Sequence, residues 1–463
     1  MSRTIVSIIP DLSDNSGNGD VSFRFRLESP PNVTANSRSL RVLECRHDDL
    51  VFANLDNGVM EPETVKGVGQ RLFETLAQHD GVKRGIDLAL ANRETATPIY
   101  IYPDPPQWQV QKMPWETLYN ADQNFAEQRF LALNPYWPIA RIAGTPSAKP
   151  EILRTFKPPL KVMAILTAAG ISAAPEWQAL ADAFKRAPAN PMLQLLVCER
   201  GLKDAIDTIG NPNIKADFLE SSLALLEAID SFSPHILHFF CHGSTEGGPH
   251  LQLATLEDID AGRSGGSVII EPNQLIHNTH LNKYVWLLTL NCCKGTDTGG
   301  EVDSMASKLV ADGFPAVVGM REVVDTSDAH LFSRTFYPEV LNQIEECVKA
   351  EGQQIEIEWA KALRFPREQI CEEHCARGQL LSVAATKTKE WTLPVMYVRP
   401  EPFKLQVRRA RPSLLADEQR KLQATIDRLR EAREFLSNNP EMPKGAIDEI
   451  DRRISDVESE LYL

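Results

Sequence analysis

The sequence predicts an α/β protein: a mostly parallel sheet flanked by helices, preceded by a strand-rich N-terminal region and followed by a helical hairpin. Three observations predict it. From Pro159 onward, continuous apolar runs alternate with amphipathic stretches, the pattern of strands covered by helices on both faces. The first fifty residues instead hold β-forming segments divided by turn residues. The last fifty carry leucines seven residues apart among dense charge.

Each element follows in order. "TIVSIIPDL", "VSFRFRLES" and "SLRVLEC" read as strands of an N-terminal sheet. In "PETVKGVGQRLFETLAQHDGVKRGIDLALAN", Val65, Val68, Leu72 and Leu76, then Ile86, Leu88 and Leu90, recur at helical spacing and predict one helix or two. "PIYIYPDP" is a further strand and "KMPWETLYN" opens a turn. Then come strands in "KVMAILTAA", "MLQLLVCER", "HILHFFCHG", "YVWLLTLNCC" and "FPAVVGM", with helices in "PEWQALADAFKRA" and "SSLALLEAID". In the tail, Leu415, Leu422, Leu429 and Leu436 flank Ile426, and Ile447, Ile450, Ile454, Val457 and Leu461 alternate spacings of three and four. These are two packing seams, joined by "SNNPEMPKG" into an antiparallel hairpin that either packs on the body or docks another protein. The expected organisation is an N-terminal region over 1–150, a catalytic domain over 151–400, a linker over 401–413 and the hairpin over 414–463.

Composition narrows the function. At 463 residues the chain has room for two or three domains of about 150 residues. Its 43% hydrophobic and 24% charged residues are those of a folded globular protein. No apolar run reaches the roughly 18 residues of a membrane span, and the N-terminus carries no secretion signal, so a cytoplasmic protein without membrane contact is expected. A net charge of -14 argues against nucleic-acid binding, which needs lysine and arginine to neutralise phosphates. Eight cysteines are too sparse for a disulfide framework and read as reduced thiols.

Open parallel sheets place their sites beyond the carboxyl ends of the strands. Two such ends carry chemistry: "HFFCHG" closes on His242 and Gly243, and "LLTLNCCKG" closes on Cys292 and Cys293. A thiolate within reach of a base is a nucleophile. Glycine lets a substrate carbonyl approach a backbone N–H. Caspases carry a histidine about 50 residues before the cysteine of Q-A-C-[RQG]-G; "NCCKG" matches loosely, with Cys293 in the nucleophile's place, 51 residues after His242.

These segments together resemble the CHAT domain proteases, clan CD cysteine peptidases that are bacterial relatives of caspases and separases. "MPWETL" at Met113–Leu118 is similar to the family's proline-aromatic-Glu-x-Leu element, "HILHFFCHG" to its histidine strand and "LLTLNCCKGTDTGG" to its cysteine strand. "SMASKLVADGFPAVVGMREVVDTSDAHLFSRTFYPEVL" is similar to the next helix and strand, and "WTLPVMY" to the closing element. The resemblance implies a caspase-like fold with a pseudo-caspase-like N-terminal region. It also implies a His242–Cys293 dyad, an oxyanion hole of the Gly243 and Cys293 backbone N–H groups, a protein substrate, an activating or docking partner and a role in bacterial defence or programmed cell death. It implies no metal and no cofactor. Related metacaspases place an aspartate two residues before the cysteine to hold a basic substrate side chain; Asn291 stands there, so Asn291, Asp297, Asp303 and Asp325 are the pocket candidates.

Alternation along a strand lets only one of the paired thiols face His242. The motif comparison selects Cys293 and leaves Cys292 as a small buried residue. His238, on the same strand face as His242, is assigned to the core or to support of His242, and His277 and His280 to a loop or helix end. A zinc site of His238, His242, Cys292 and Cys293 lacks the spacing of known zinc modules. "CEEHC" at 371–375 places two cysteines on one helix face and reads as helix packing. The alternative to a cysteine endopeptidase is a scaffold that binds proteins without cutting them.

Overall fold

The structure is a computed structural model that describes residues 4–10, 21–29, 41–45, 62–78, 80–91, 93–94, 96–103, 113–122, 129–147, 151–185, 187, 191–244, 248–277, 281–292, 302–376, 379–408, 416–437 and 444–462. Strands β1 (Thr4–Pro10), β2 (Val21–Ser29) and β3 (Arg41–Cys45) are followed by helices α1 (Val65–Ala77) and α2 (Asp80–Ala91), then β4 (Ile99–Pro103), β5 (Ile139–Ile142) and β6 (Ile152–Phe156). The body continues with β7 (Lys161–Leu166), α3 (Ala174–Phe184), β8 (Met192–Val197), α4 (Arg200–Thr208), β9 (Ile214–Phe218), α5 (Ser222–Phe232) and β10 (Ile236–Ser244). Next come β11 (His250–Leu253), β12 (Val268–Ile270), β13 (Leu287–Cys292), α6 (Val302–Ala311), β14 (Ala316–Met320) and α7 (Thr326–Lys349). The chain closes with β15 (Gln354–Glu356), α8 (Arg364–Glu373), β16 (Pro394–Val398), β17 (Phe403–Val407), α9 (Ala416–Ser437) and α10 (Lys444–Tyr462).

One sheet runs through the body in the order β3-β2-β1-β4-β5-β16-β14-β13-β10-β7-β8-β9. Neighbours from β13 to β9 are all parallel, while β16 runs antiparallel to β14 and parallel to β5. The N-terminal strands therefore extend the same sheet: β1 pairs with β4 in parallel, and β4 with β5. The apolar runs are buried on both faces, as a helix-covered sheet requires. On one face Ile236, Phe240, Leu287 and Val318 pack under Trp177 and Leu180 of α3 and Phe332 and Phe336 of α7. On the other, Leu237, Phe239, Leu288 and Leu290 pack under Leu225 and Ile229 of α5 and Met305 and Leu309 of α6.

The stretch 401–413, expected as a linker, contains β17. Phe403, Leu405 and Val407 are buried and Lys404 and Gln406 partly exposed, the period-two alternation of a strand with one covered face. β17 pairs in parallel with β6 and antiparallel with β15 as a small second sheet. Helices α9 and α10 form the hairpin, with Ile426 buried in the seam and Leu422, Leu429, Leu436, Ile447, Ile450, Ile454 and Val457 partly buried. Arg430–Glu458 (3.2 Å) and Arg433–Asp451 (2.6 Å) set its antiparallel register, and Lys157 contacts Glu458 at 3.7 Å from the body. Among the described residues no helix is long and apolar enough to cross a membrane.

Candidate active site

β10 and β13 are adjacent and parallel, with Ile236 opposite Leu287 and Cys241 opposite Cys292. His242 is the next residue on β10, where the strand leaves β13 and pairs with β11, His242 opposite Gln252 and Gly243 opposite Leu251. The His242 ring is 1% exposed. Its Nε2 lies 2.7 Å from the carbonyl oxygen of Ala169, in the loop after β7. A carbonyl only accepts, so Nε2 carries the hydrogen and, in the neutral ring, Nδ1 holds the free lone pair. Nδ1 is buried and has no hydrogen-bond partner among the described residues. A backbone carbonyl thus fixes the ring and leaves Nδ1 as the nitrogen able to accept a proton.

The register places Cys292 away from His242. Cys241 and Cys292 lie in the core under α5 and α6, whereas Phe240, in phase with His242, lies under α3 and α7. Cys292 is buried across the sheet from His242, as strand alternation demands. Cys293 and Asp297 lie outside the described residues. Asp303 falls in the first turn of α6, and its side chain is outside them too. Asp325 is the exposed residue preceding α7, with its carbonyl accepting from the Ala329 N–H at 2.9 Å. Gly243 is partly buried beside His242.

Asn291, expected as a pocket residue, is fully buried in this structure. On a strand covered on both faces, residue 291 points into the layer of α3 and α7 and away from solvent. Its Nδ2 donates to the carbonyl of Ala329 at 2.9 Å, to Ser333 Oγ at 3.1 Å and to Glu176 Oε1 at 3.1 Å.

Glu176 is the residue that sequence reasoning missed. It sits in the first turn of α3 with its carboxylate wholly buried. Ser333 donates to Oε1 and His330 Nδ1 donates to Oε2 at 2.7 Å. His238 Nε2 lies 3.0 Å from Oε1 but is poorly aligned for a hydrogen bond. Burial by itself would push this carboxyl up; the contacts from His238, His330 and Ser333 outweigh it and hold the group at about 2. His238 Nδ1 lies 2.8 Å from the Tyr337 hydroxyl, which is 3.1 Å from Thr289 Oγ1, so His238 belongs to a buried polar cluster in the core. No local signal distinguishes Glu176 from any acidic residue in a first helical turn.

The "MPWETL" element is tied in by a second buried charge. Arg141 on β5 grips Glu116 through two hydrogen bonds, Nε–Oε1 at 3.0 Å and Nη2–Oε2 at 2.7 Å. It also donates to the Met113 carbonyl at 3.1 Å and to the Tyr397 hydroxyl of "WTLPVMY" at 3.3 Å. Burial opposes the Glu116 charge, but Arg141, and more weakly Arg367, lower its pKa.

The remaining candidates are structural. Cys371 is buried at 3.8 Å from Thr388 Oγ1, Cys375 Sγ lies 3.3 Å from the Gln379 carbonyl, and His374 pairs with Asp328 at 2.9 Å. His277 ends a short helix, and His280 lies outside the described residues. Among the described residues no group of three or more ligand-type side chains is placed to hold a metal ion.

The CHAT domain family model matches residues 66–355, and the chain belongs to that family. No curated protein matches the chain. Among solved structures it is similar to the Saccharomyces cerevisiae separase–securin complex, at 10% identity and a TM-score of 0.39, covering 87% of this chain and 30% of that one. It is also similar to the Arg-specific cysteine proteinase gingipain R, at 9% identity and a TM-score of 0.36, covering 73% of this chain and 74% of that one. The chain thus spans under a third of the separase chain.

Proposed function

We propose that this protein is a cysteine endopeptidase whose dyad is His242 and Cys293. The observation that carries the proposal is the orientation of His242: its Nε2–H is fixed on the Ala169 carbonyl and its Nδ1 lone pair stands at the strand end beside the one bearing Cys292–Cys293. In this mechanism Nδ1 takes the Cys293 thiol proton and the thiolate sulfur attacks a peptide carbonyl carbon. The Gly243 and Cys293 backbone N–H groups hold the oxyanion, a contribution worth about a hundredfold to a thousandfold in rate per donor. The imidazolium then protonates the leaving amine as the C–N bond breaks. Water, deprotonated by Nδ1, hydrolyses the thioester and regenerates the thiol.

The motif resemblance extends the proposal to an enzyme switched on by a partner or signal in bacterial defence or programmed cell death, cutting a protein substrate. With Asn291 buried, recognition of the residue before the scissile bond falls to Asp297, Asp303 or Asp325. The deciding experiment is intact-mass analysis after exposure to peptidyl acyloxymethyl ketones with basic and apolar side chains. Adduct is expected on the wild type and Cys292→Ala and none on Cys293→Ala. Equal labelling of Cys293→Ala would refute the nucleophile. Absence of adduct under every condition, with and without partners, would favour the non-catalytic scaffold.

A further inference from the structure

Glu176 stands at the meeting point of the two strands that carry the dyad. Its Oε1 accepts from Asn291 on β13, one residue before Cys292, and its Oε2 accepts from His330 of α7. The same carboxylate is 3.0 Å from His238 on β10, four residues before His242. Ser333 bonds both Glu176 and Asn291, so α3 and α7 hold β13 through one buried anion that also lies against His238 of β10. Only His330 of this group reaches solvent: 15% exposed, it lines a cleft of about 360 Å³ between α3 and α7 with Gln178, Ser327 and Arg334. Burying a carboxylate is expensive unless every donor around it is in place. A wholly buried anion here is therefore a rigid clamp, because any slip of β13 removes the Asn291 donor from it.

We propose that Glu176 is the positioning residue of the dyad, holding the β13 end, where the chain runs on to Cys293, at a fixed offset from the β10 end that bears His242. This rests on the His242–Cys293 reading. It also explains why residue 291 is an amide: an aspartate there would set two carboxylates against each other in a buried site.

The test is the pH dependence of Cys293 alkylation by iodoacetamide in the full chain, followed by peptide mass spectrometry. A thiol paired with an oriented histidine titrates below the ordinary value of about 8.5. Glu176→Ala is expected to raise that midpoint and slow alkylation at neutral pH about tenfold, the equivalent of one pH unit. Glu176→Gln keeps an acceptor for Asn291 and offers an N–H₂ to His330 after a tautomer change, so it should stay within about threefold of the wild type. Asn291→Ala, which cuts the clamp on the strand itself, should reproduce the Glu176→Ala shift and serves if Glu176→Ala does not fold. A purely electrostatic role gives the opposite sign, since deleting an anion near a thiolate lowers its pKa.

Wild-type midpoints in folded Glu176→Ala and Asn291→Ala, or an equal upward shift in Glu176→Gln, would overturn the positioning role alone. An ordinary midpoint in the wild type would overturn the dyad reading and this inference with it.

Discussion

Replacing Arg141 with methionine removes a guanidinium whose side chain, like that of Glu116, is 0% exposed. Methionine fills most of the volume, so the change is mainly electrostatic. Breaking one partner of a buried pair strands the other charge and typically destabilises by about 3–5 kcal/mol. The lost hydrogen bond to the Met113 carbonyl adds about 1 kcal/mol. The assay is urea unfolding, read as a midpoint change at constant slope. The pH dependence supplies the internal check. In the wild type the folded pKa of Glu116 lies below its unfolded value, so its pair contributes fully above about pH 4.3 and is lost as pH falls through the folded value. In Arg141→Met, burial dominates with only Arg367 left nearby and the folded pKa rises. Its penalty is then present at neutral pH and relieved on acidification, so the two stability curves converge towards pH 4. Adding Glu116→Gln should recover most of the loss at pH 7. A destabilisation under about 1 kcal/mol, or a gap that widens on acidification, would refute the buried-pair reasoning.

Asn291→Asp should lower stability at neutral pH by setting a second carboxylate against Glu176, and Glu176→Gln in the same chain should restore the melting temperature. Cys292→Ala should leave probe labelling of Cys293 unchanged and lower stability by about 1 kcal/mol, as loss of one small buried side chain does; loss of labelling with the fold intact would contradict the register. His235, stacked on Trp286 with ring centroids 4.3 Å apart, is pushed down to about 3 by burial and by Lys161. Its unfolded form binds the proton first, so stability should fall from about pH 6.5 towards pH 3 by up to 1.4 kcal/mol per unit, and His235→Phe should flatten that slope in acid unfolding curves. Ile426→Ala empties the buried centre of the hairpin seam; separate unfolding of α9 and α10 at lower urea, seen by circular dichroism, is expected at a cost of about 2–5 kcal/mol.

What the sequence determined by itself is whatever local pattern encodes. The apolar runs of β7, β8, β10, β13 and β14 are strands because a helix-covered sheet demands side chains that tolerate burial on both faces. The heptad leucines of α9 mark a packing seam, and the residues closing β10 and β13 are candidates because open sheets carry their sites at carboxyl ends. Strand alternation already led to the expectation that only one of the paired thiols faces His242. The tertiary structure alone decided which strands are neighbours, and with that the register placing Cys241 beside Cys292 and His242 one step beyond. It decided that Glu176 and Asn291, ordinary surface types by composition, meet in the core, and that Glu116 finds Arg141. The alternation of "FKLQV" is itself a strand signal that the expected linker passed over, whereas its partners β6 and β15 were fixed only by the fold. The physical reason is common to all: periodicity reports the burial of a segment, whereas the partner of a buried charge and the neighbour of a strand lie far along the chain and are chosen by the packing of the whole.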